Sequence, residues 1–444
     1  MTVGGQGPQT EFGYDGAAPR SAVLLVLALR SISKPRDETI QARRPPLRPR
    51  RANPEPPKPF KFGAHIYLAQ TQPGFELIAA NEIAARFERD KTRELGRRLV
   101  PDRVGMTIFS APRIAPLKQV RTVEDLFAVI AYRRFPVSPL DPALKYVPKS
   151  TAEHDADARV ASKTLERVRT ASRDARFIEE ALTAHVSLVP GSRAGKRLQY
   201  RVIARMAGEH PFRRVDLQRA VERGIDERDD HSWNLGGDDS DVEFWVTMFP
   251  GEFILTMRLT DERLRHRDYK VAHMPGSLRP SVAAALGWLS EPSPDDIVLD
   301  PMCGAGTVLI ERANMGRYQK LIGGDSDKVS LAAARENVGP RYKPIELHSW
   351  DATSIALDAA SVTKVITNLP WGMRHGSHSE NRRLYPSLIE EFKRVVRPGG
   401  LIVMLTAETH LMADLMSRGM FRPQKILRVS ILGAPAAIYV VRIP

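Results

Sequence analysis

The stretch that decides the fold reads Asp300-Pro301-Met302-Cys303-Gly304-Ala305-Gly306-Thr307. It follows the short apolar segment from Ile297 to Asp300, which reads as a strand, and precedes Val308 to Met315, which reads as a helix. Glycine lets the backbone turn sharply and approach a ligand with no side chain between, and a helix start offers N–H groups that the helix itself leaves free. Asp300, Cys303, Gly304, Ala305, Gly306 and Thr307 are therefore candidate cofactor-binding residues at the carboxyl end of a first strand, where doubly wound folds bind ligands. A plain strand-to-helix turn is the other use of the same glycines.

Outward from this loop the pattern of short apolar strands and helices continues. Leu321 to Asp325, Lys364 to Asn368 and Leu401 to Thr406 read as further strands, so a largely parallel sheet wrapped by helices is expected. Ile426 to Leu432 and Ala437 to Arg442 lie close together across Gly433-Ala434-Pro435 and should pair antiparallel at one end of that sheet. Asp325 stands 25 positions after Asp300, near the roughly 20-residue spacing at which an acid meets a ribose diol. Its carboxylate can accept from both hydroxyls, and Ser326 joins it in the candidate site. Asp327 reads as the cap of the next helix. Asp351 follows the third strand and either accepts from an adenine amino group or is an ordinary loop aspartate.

Asn368-Leu369-Pro370-Trp371 comes directly after the strand Val365-Ile366-Thr367, hence at the same sheet edge as the glycine loop. An aromatic amino group is a poor nucleophile because its lone pair is delocalised into the ring. A site that attacks with one must favour the pyramidal nitrogen of the transition state, which acceptors around the N–H bonds can do. The Asn368 side-chain oxygen and a backbone carbonyl at Leu369 or Pro370 can hold those hydrogens, proline stiffens the loop, and Trp371 offers a stacking face. These four are the candidate catalytic residues, and Asn368 is a candidate cofactor contact as well. A strand-terminating turn with a core tryptophan is the structural alternative.

The 444 residues suggest two or three domains. Lys and Arg outnumber Asp and Glu by 66 to 52, for a formal charge of +14, which favours a polyanionic partner, nucleic acid before an anionic membrane. The single cysteine, Cys303, excludes an intramolecular disulfide and cysteine zinc clusters and fits a reducing cytosol. The 11 histidines show no ligand pairing, so no metal is expected. The apolar run Ala22 to Leu29 is too short to span a bilayer. Residues 1–59, rich in Gly, Pro and Arg, read as a disordered basic tail, either a phosphate-binding arm or a dispensable extension.

Within 60–150, Ala64 to Ala69 and Val104 to Phe109 read as strands and Glu76 to Phe87 and Val123 to Tyr132 as helices. In 151–265, Tyr200 to Met206 alternate as a half-exposed strand whose outward face carries Arg201 and Arg205. Val242 to Met248 and Phe253 to Leu259 form a hairpin over Pro250-Gly251. Two charge-rich segments, 153–180 and 226–241, show no clear pattern.

Asp300 to Thr307, Gly323 to Asp325 and Thr367 to Gly372 resemble motifs I, II and IV of Rossmann-like amino-methyltransferases. The nearest family is the THUMP-domain RNA (guanine-N2) methyltransferases of the tRNA branch. Ser277 to Pro280, Leu384-Tyr385 and Arg394 to Gly400 resemble it as well, and more loosely so do Gln72 to Glu76 and Arg201 to Leu259. Motif IV departs from the Asn-Pro-Pro-Tyr of many relatives, which disfavours DNA adenine methylation. The resemblance implies an α/β Rossmann-like methyltransferase domain at 266–444, a ferredoxin-like domain at 60–150 and a THUMP RNA-binding domain at 151–265. It further implies S-adenosylmethionine as cofactor and N2-methylguanosine formation in the tRNA acceptor stem, with ribosomal RNA as the alternative substrate and a non-catalytic RNA-binding protein as the alternative class. Arg201, Arg205, Arg279 and Arg374 are the candidate RNA contacts, and His375, Arg382 and Arg383 either join them or form a solvated basic loop.

Overall fold

The computed structural model describes residues 58–87, 91–101, 103–135, 151–193, 195–342, 344–372 and 377–444. The tail expected at 1–59 thus lies outside the described residues except for its last two.

The first half builds one eight-stranded sheet. In chain order come β1 (Ile66–Thr71), α1 (Glu76–Arg86), β2 (Arg93–Val100), β3 (Val104–Ser110), β4 (Asp125–Arg134), α2 (Thr151–Arg173), α3 (Ile178–Leu188), β5 (Arg197–Met206), α4 (Arg214–Asp226), β6 (Ser232–Leu235), β7 (Val242–Phe249) and β8 (Glu252–Arg258). The strand order is β2-β3-β1-β4-β8-β7-β5-β6, so segments 60–150 and 151–265 share a sheet through the antiparallel β4–β8 pair.

The helix expected over Val123 to Tyr132 is the strand β4. Its run Leu126 to Tyr132 is buried throughout and paired on both edges. A central strand covered on both faces loses the polar alternation that marks a half-exposed one, so periodicity cannot separate it from a buried helix. The charge-rich 153–180 forms most of α2 and the start of α3, and 226–241 contains β6. Helices α1 to α4 cover one sheet face, with Val168, Ala171, Leu182 and Leu217 packed against Ala128, Val202 and Leu255.

After α5 (Arg263–His266) and α6 (Pro280–Leu289) the second sheet begins. It contains β9 (Ile297–Asp300), α7 (Thr307–Ala313), β10 (Lys320–Asp325), α8 (Lys328–Val338), β11 (Ile345–Ser349), β12 (Val362–Asn368), α9 (His378–Val395), β13 (Val396–Thr406), α10 (Thr409–Ser417), β14 (Lys425–Ile431) and β15 (Ala434–Arg442). The order is β11-β10-β9-β12-β13-β15-β14. The first five strands are parallel and β15 pairs antiparallel with β13 and β14. The chain winds one way from β9 to β11 and the other way from β12, so the crevice between β9 and β12 is the topological switch point.

All described residues belong to one compact unit. Phe75 and Ile78, at the start of α1, sit in the same core cluster as Val282, Val298, Leu309 and Ile438 of the second sheet. The preceding turn docks on β14, where the Ser430 amide donates to the Pro73 carbonyl at 2.9 Å. Gly74 has φ +93°, and a Cβ there would stand 2.5 Å from the Arg428 carbonyl oxygen, so glycine is required both for conformation and for approach.

Candidate active site

The register Val365↔Leu299 aligns β12 with β9, which brings Asp300 and Asn368 to the same edge of the switch-point crevice. Gly304 and Gly306 have φ +51° and +78°. The loop is tied down from both sides: Cys303 N–H donates to the Gly324 carbonyl and Gly306 N–H to the Cys303 carbonyl, each at 2.8 Å. A Cβ at Gly304 would meet nothing within 4 Å, so the loop faces open space there. Ala305 and Thr307 are buried, and Asn337 Nδ2 donates to the Ala305 carbonyl at 3.0 Å. Asn337 was not singled out from sequence, because nothing at its place in α8 marks it until the helix lies beside the loop.

Asp325 ends β10 and accepts from Gly304 N–H at 2.9 Å and from Asp327 N–H at 2.9 Å. Each oxygen keeps acceptor capacity beyond these bonds. Asp327 caps α8, accepting from Val329 and Ser330 amides, as its position suggests, and Ser326 is exposed. Gly324 is needed for packing: a Cβ would lie 1.6 Å from Trp350 Nε1, so the indole rests directly on the strand backbone. Asp351 is exposed and accepts from the Thr353 amide and hydroxyl, both at 2.8 Å, which hold its carboxyl below the usual range.

Asp300 is wholly buried, and burial pushes its carboxyl up to about 7, with Asp325 adding to the rise and the Thr367 hydroxyl and Met302 amide opposing it. Burial likewise pushes the Cys303 thiol up, the state of a packed rather than a reactive cysteine.

Asn368 ends β12, and its Oδ1 accepts from Trp371 Nε1 at 3.1 Å, which fixes both side chains. The Pro370 carbonyl accepts from Asn381 Nδ2 at 3.0 Å and from Tyr385 Oη at 2.7 Å. Both of its lone pairs are therefore engaged. Of the two carbonyls left open by sequence, Leu369 is the one with capacity by this count, and its amide is anchored to the Leu405 carbonyl at 2.9 Å.

The basic residues are placed differently from a bare cationic stripe. Arg201 pairs with Glu243 at 2.6 Å and with Asp238. Arg205 lies 4.0 Å from the Trp245 ring centroid, donates to Gln70 Oε1 at 2.8 Å, and is pulled down to about 10 by burial. Arg279 pairs with Glu124 at 2.7 Å. Each meets a matching partner on a neighbouring strand or loop, an acid for Arg201 and Arg279, an aromatic ring and an amide for Arg205, so the outward face of β5 is internally compensated. Arg382 and Arg383 are exposed on α9, and Arg374 and His375 lie outside the described residues. Among the described residues no group of three or more His, Cys, Asp or Glu could hold a metal ion.

A parallel sheet closed by an antiparallel C-terminal hairpin, with a glycine loop and an Asn-x-Pro-aromatic loop facing each other at its switch point, is the Rossmann-like methyltransferase fold. Residues 267–434 match the family described as RMKL-like, methyltransferase domain. The mouse (Mus musculus) tRNA (guanine(6)-N(2))-methyltransferase THUMP3 is 32% identical over 263 residues, covering 55% of this chain and 51% of its own length. A tRNA (guanine(6)-N2)-methyltransferase of Thermus thermophilus is 30% identical over 222 residues, covering 50% of this chain and 65% of its own. The chain thus spans about half the length of the mouse relative. The crystal structure of TrmN from Thermus thermophilus superposes with a TM-score of 0.63 at 24% identity, over 86% of this chain and all of that one, which shows that the first sheet and the second share its architecture.

Proposed function

We propose that the protein is an S-adenosylmethionine-dependent tRNA (guanine-N2)-methyltransferase acting in the acceptor stem. The carrying observation is the Asn368–Trp371 pair standing at the same crevice edge as the Gly304–Gly306 loop, and the names of the relatives supply the nucleobase and the RNA.

The residues at the loop suit this cofactor. Open space above Gly304 leaves room for a ligand against the backbone, Asp325 has acceptor capacity for a ribose diol, and the buried Asp300 carboxyl, beside another acid, gains from a nearby positive charge. When bound, S-adenosylmethionine supplies a methyl group on a cationic sulfur. The chain's own part is to orient the acceptor: Asn368 Oδ1 and the Leu369 carbonyl hold the two amino hydrogens, and the Trp371 ring stacks on the base. With the acceptor so held, the methyl group would pass from the sulfonium, which would leave as a neutral thioether, and the amine's proton would go to water. The division into 60–150, 151–265 and 266–444 is proposed as a functional one, the first two segments gripping tRNA and the third carrying chemistry. Among the described residues no helix is long and apolar enough to cross a membrane.

The test is incubation of the protein with unmodified tRNA transcripts and labelled S-adenosylmethionine, followed by nucleoside mass spectrometry. N2-methylguanosine is the expected product. Asn368→Ala should lower kcat by about 100-fold, the scale of losing one transition-state contact, with cofactor affinity held within twofold. Cofactor binding without methylated tRNA would overturn the tRNA assignment, and N6-methyladenosine would overturn the choice of base.

A further inference from the structure

We propose that Asn381, Tyr385 and Glu408 are positioning residues that reserve the acceptor geometry of the 368–371 loop for an amino group; the inference rests on the reaction proposed above. None of the three touches the reacting atoms. They lie beneath the loop, on α9 and just beyond β13, and all are buried.

The hydrogen-bond directions follow from chemistry alone. A carbonyl has no hydrogen, so Tyr385 must donate to Pro370 at 2.7 Å. Its oxygen then accepts from the Thr406 hydroxyl at 2.7 Å, and Thr406 Oγ1 accepts from the Glu408 amide at 2.9 Å. Every hydrogen in this chain points toward Pro370. Asn381 Nδ2 donates to both Pro370 O and Glu408 Oε1, at 3.0 and 2.9 Å. Exchanging its amide ends would set an oxygen against two acceptors, so the orientation is fixed although its Oδ1 is left buried without a partner. The other Glu408 oxygen meets His378 Nδ1 at 2.5 Å. Gly372, with φ +68°, draws the loop so close that a Cβ would stand 2.8 Å from Glu408 Oε1.

Pinning the Pro370 carbonyl from two sides removes it as a substrate acceptor and fixes the Pro370–Trp371 peptide plane, from which the indole reaches Asn368 Oδ1. Two acceptors remain for the ligand: Asn368 Oδ1, which carries one indole hydrogen, and the Leu369 carbonyl. Two acceptors match the two hydrogens of an exocyclic amine and not the single hydrogen of a ring nitrogen or a hydroxyl.

Tyr385→Phe removes one of the two pins and keeps the ring in its seat. It should lower kcat about 10-fold or more while KM for tRNA and cofactor stay within about twofold, the pattern of an interaction made in the transition state. Thr406→Ser, which keeps the hydroxyl, should stay near wild type, and Thr406→Val should follow Tyr385→Phe. An unchanged kcat in Tyr385→Phe, or a fall of kcat, affinity and thermal midpoint together, overturns the assignment. Should the wild-type protein methylate no RNA, the reaction proposed above fails by itself. Hydrogen exchange at residues 369–372 then decides the positioning role: exchange about tenfold faster in Tyr385→Phe supports it, and unchanged exchange overturns it.

Discussion

A carboxyl group enclosed at the end of β9 behaves as a proton-binding site. Burial lifts Asp300 to about 7, so the folded protein holds its proton more tightly than the unfolded chain does. The stability this contributes is fully present below the ordinary aspartate range near 4 and is lost as pH rises through about 7, with a slope of at most about 1.4 kcal/mol per pH unit. A cationic ligand prefers the ionised carboxylate, so its binding should expel the proton. Affinity for S-adenosylmethionine should therefore rise between pH 6 and 8, by up to about tenfold per unit below pH 7. Asp300→Asn should flatten that profile and raise the melting temperature of the ligand-free protein at pH 8. Calorimetric titration across this range checks the first point, and a flat wild-type profile would remove Asp300 from the cofactor's charge.

Strand β10 illustrates how an element carries more than its hydrogen bonds. Trp350 packs directly against Gly324 and stacks on His348 at 5.1 Å and 7°. Gly324→Ala must expel the indole, at a cost of about 1–3 kcal/mol typical of overpacking, which urea unfolding would measure, and a loss below about 0.5 kcal/mol would show the indole relaxes freely. The same element was legible in advance, because its short apolar run is bounded by an acid and followed by a capped helix. So were β9, β12 and the β14–β15 hairpin. β4 was not, since a strand buried on both faces shows no alternation, and α2 was not, since its charges conceal a narrow apolar stripe. The glycine loop and Asn368–Trp371 could be read because each is contiguous in the chain. Asn337, Asn381 and Glu408 could not, because their role exists only once helices and strand ends set them against those loops. Tyr385 fell within a segment that the family resemblance marks, but its contact with Pro370 is a fact of packing.

Across the whole molecule, the two sheets are joined by a buried carboxylate. Glu311, on the helix that leaves the glycine loop, accepts from Arg121 Nε and Nη2 at 2.7 and 3.1 Å, from Tyr269 Oη at 2.7 Å and from Arg267 at 3.4 Å. The Arg121 amide is in turn held by Glu82 of α1 at 3.0 Å, so α1, the loop before β4 and α7 form one connected grip. Removing one partner of a buried pair leaves an uncompensated charge, whereas replacing both with apolar groups costs far less. Arg121→Met should destabilise the protein by about 3 kcal/mol, the surviving Tyr269 and Arg267 contacts keeping the loss from being larger. Arg121→Met combined with Glu311→Leu should recover only part of it, because Glu311→Leu also leaves the buried Arg267 and Tyr269 without this acceptor, and a double-mutant cycle by urea unfolding reads the coupling directly. A cofactor titration of the single variant tests the functional side, because Gly306 is the N-cap of α7: weaker binding in Arg121→Met, partly restored in the double variant, ties the grip of the first sheet to the shape of the glycine loop. Equal stability of Arg121→Met and wild type would mean that the shared apolar core around Phe75 and Ile78 alone holds the sheets together.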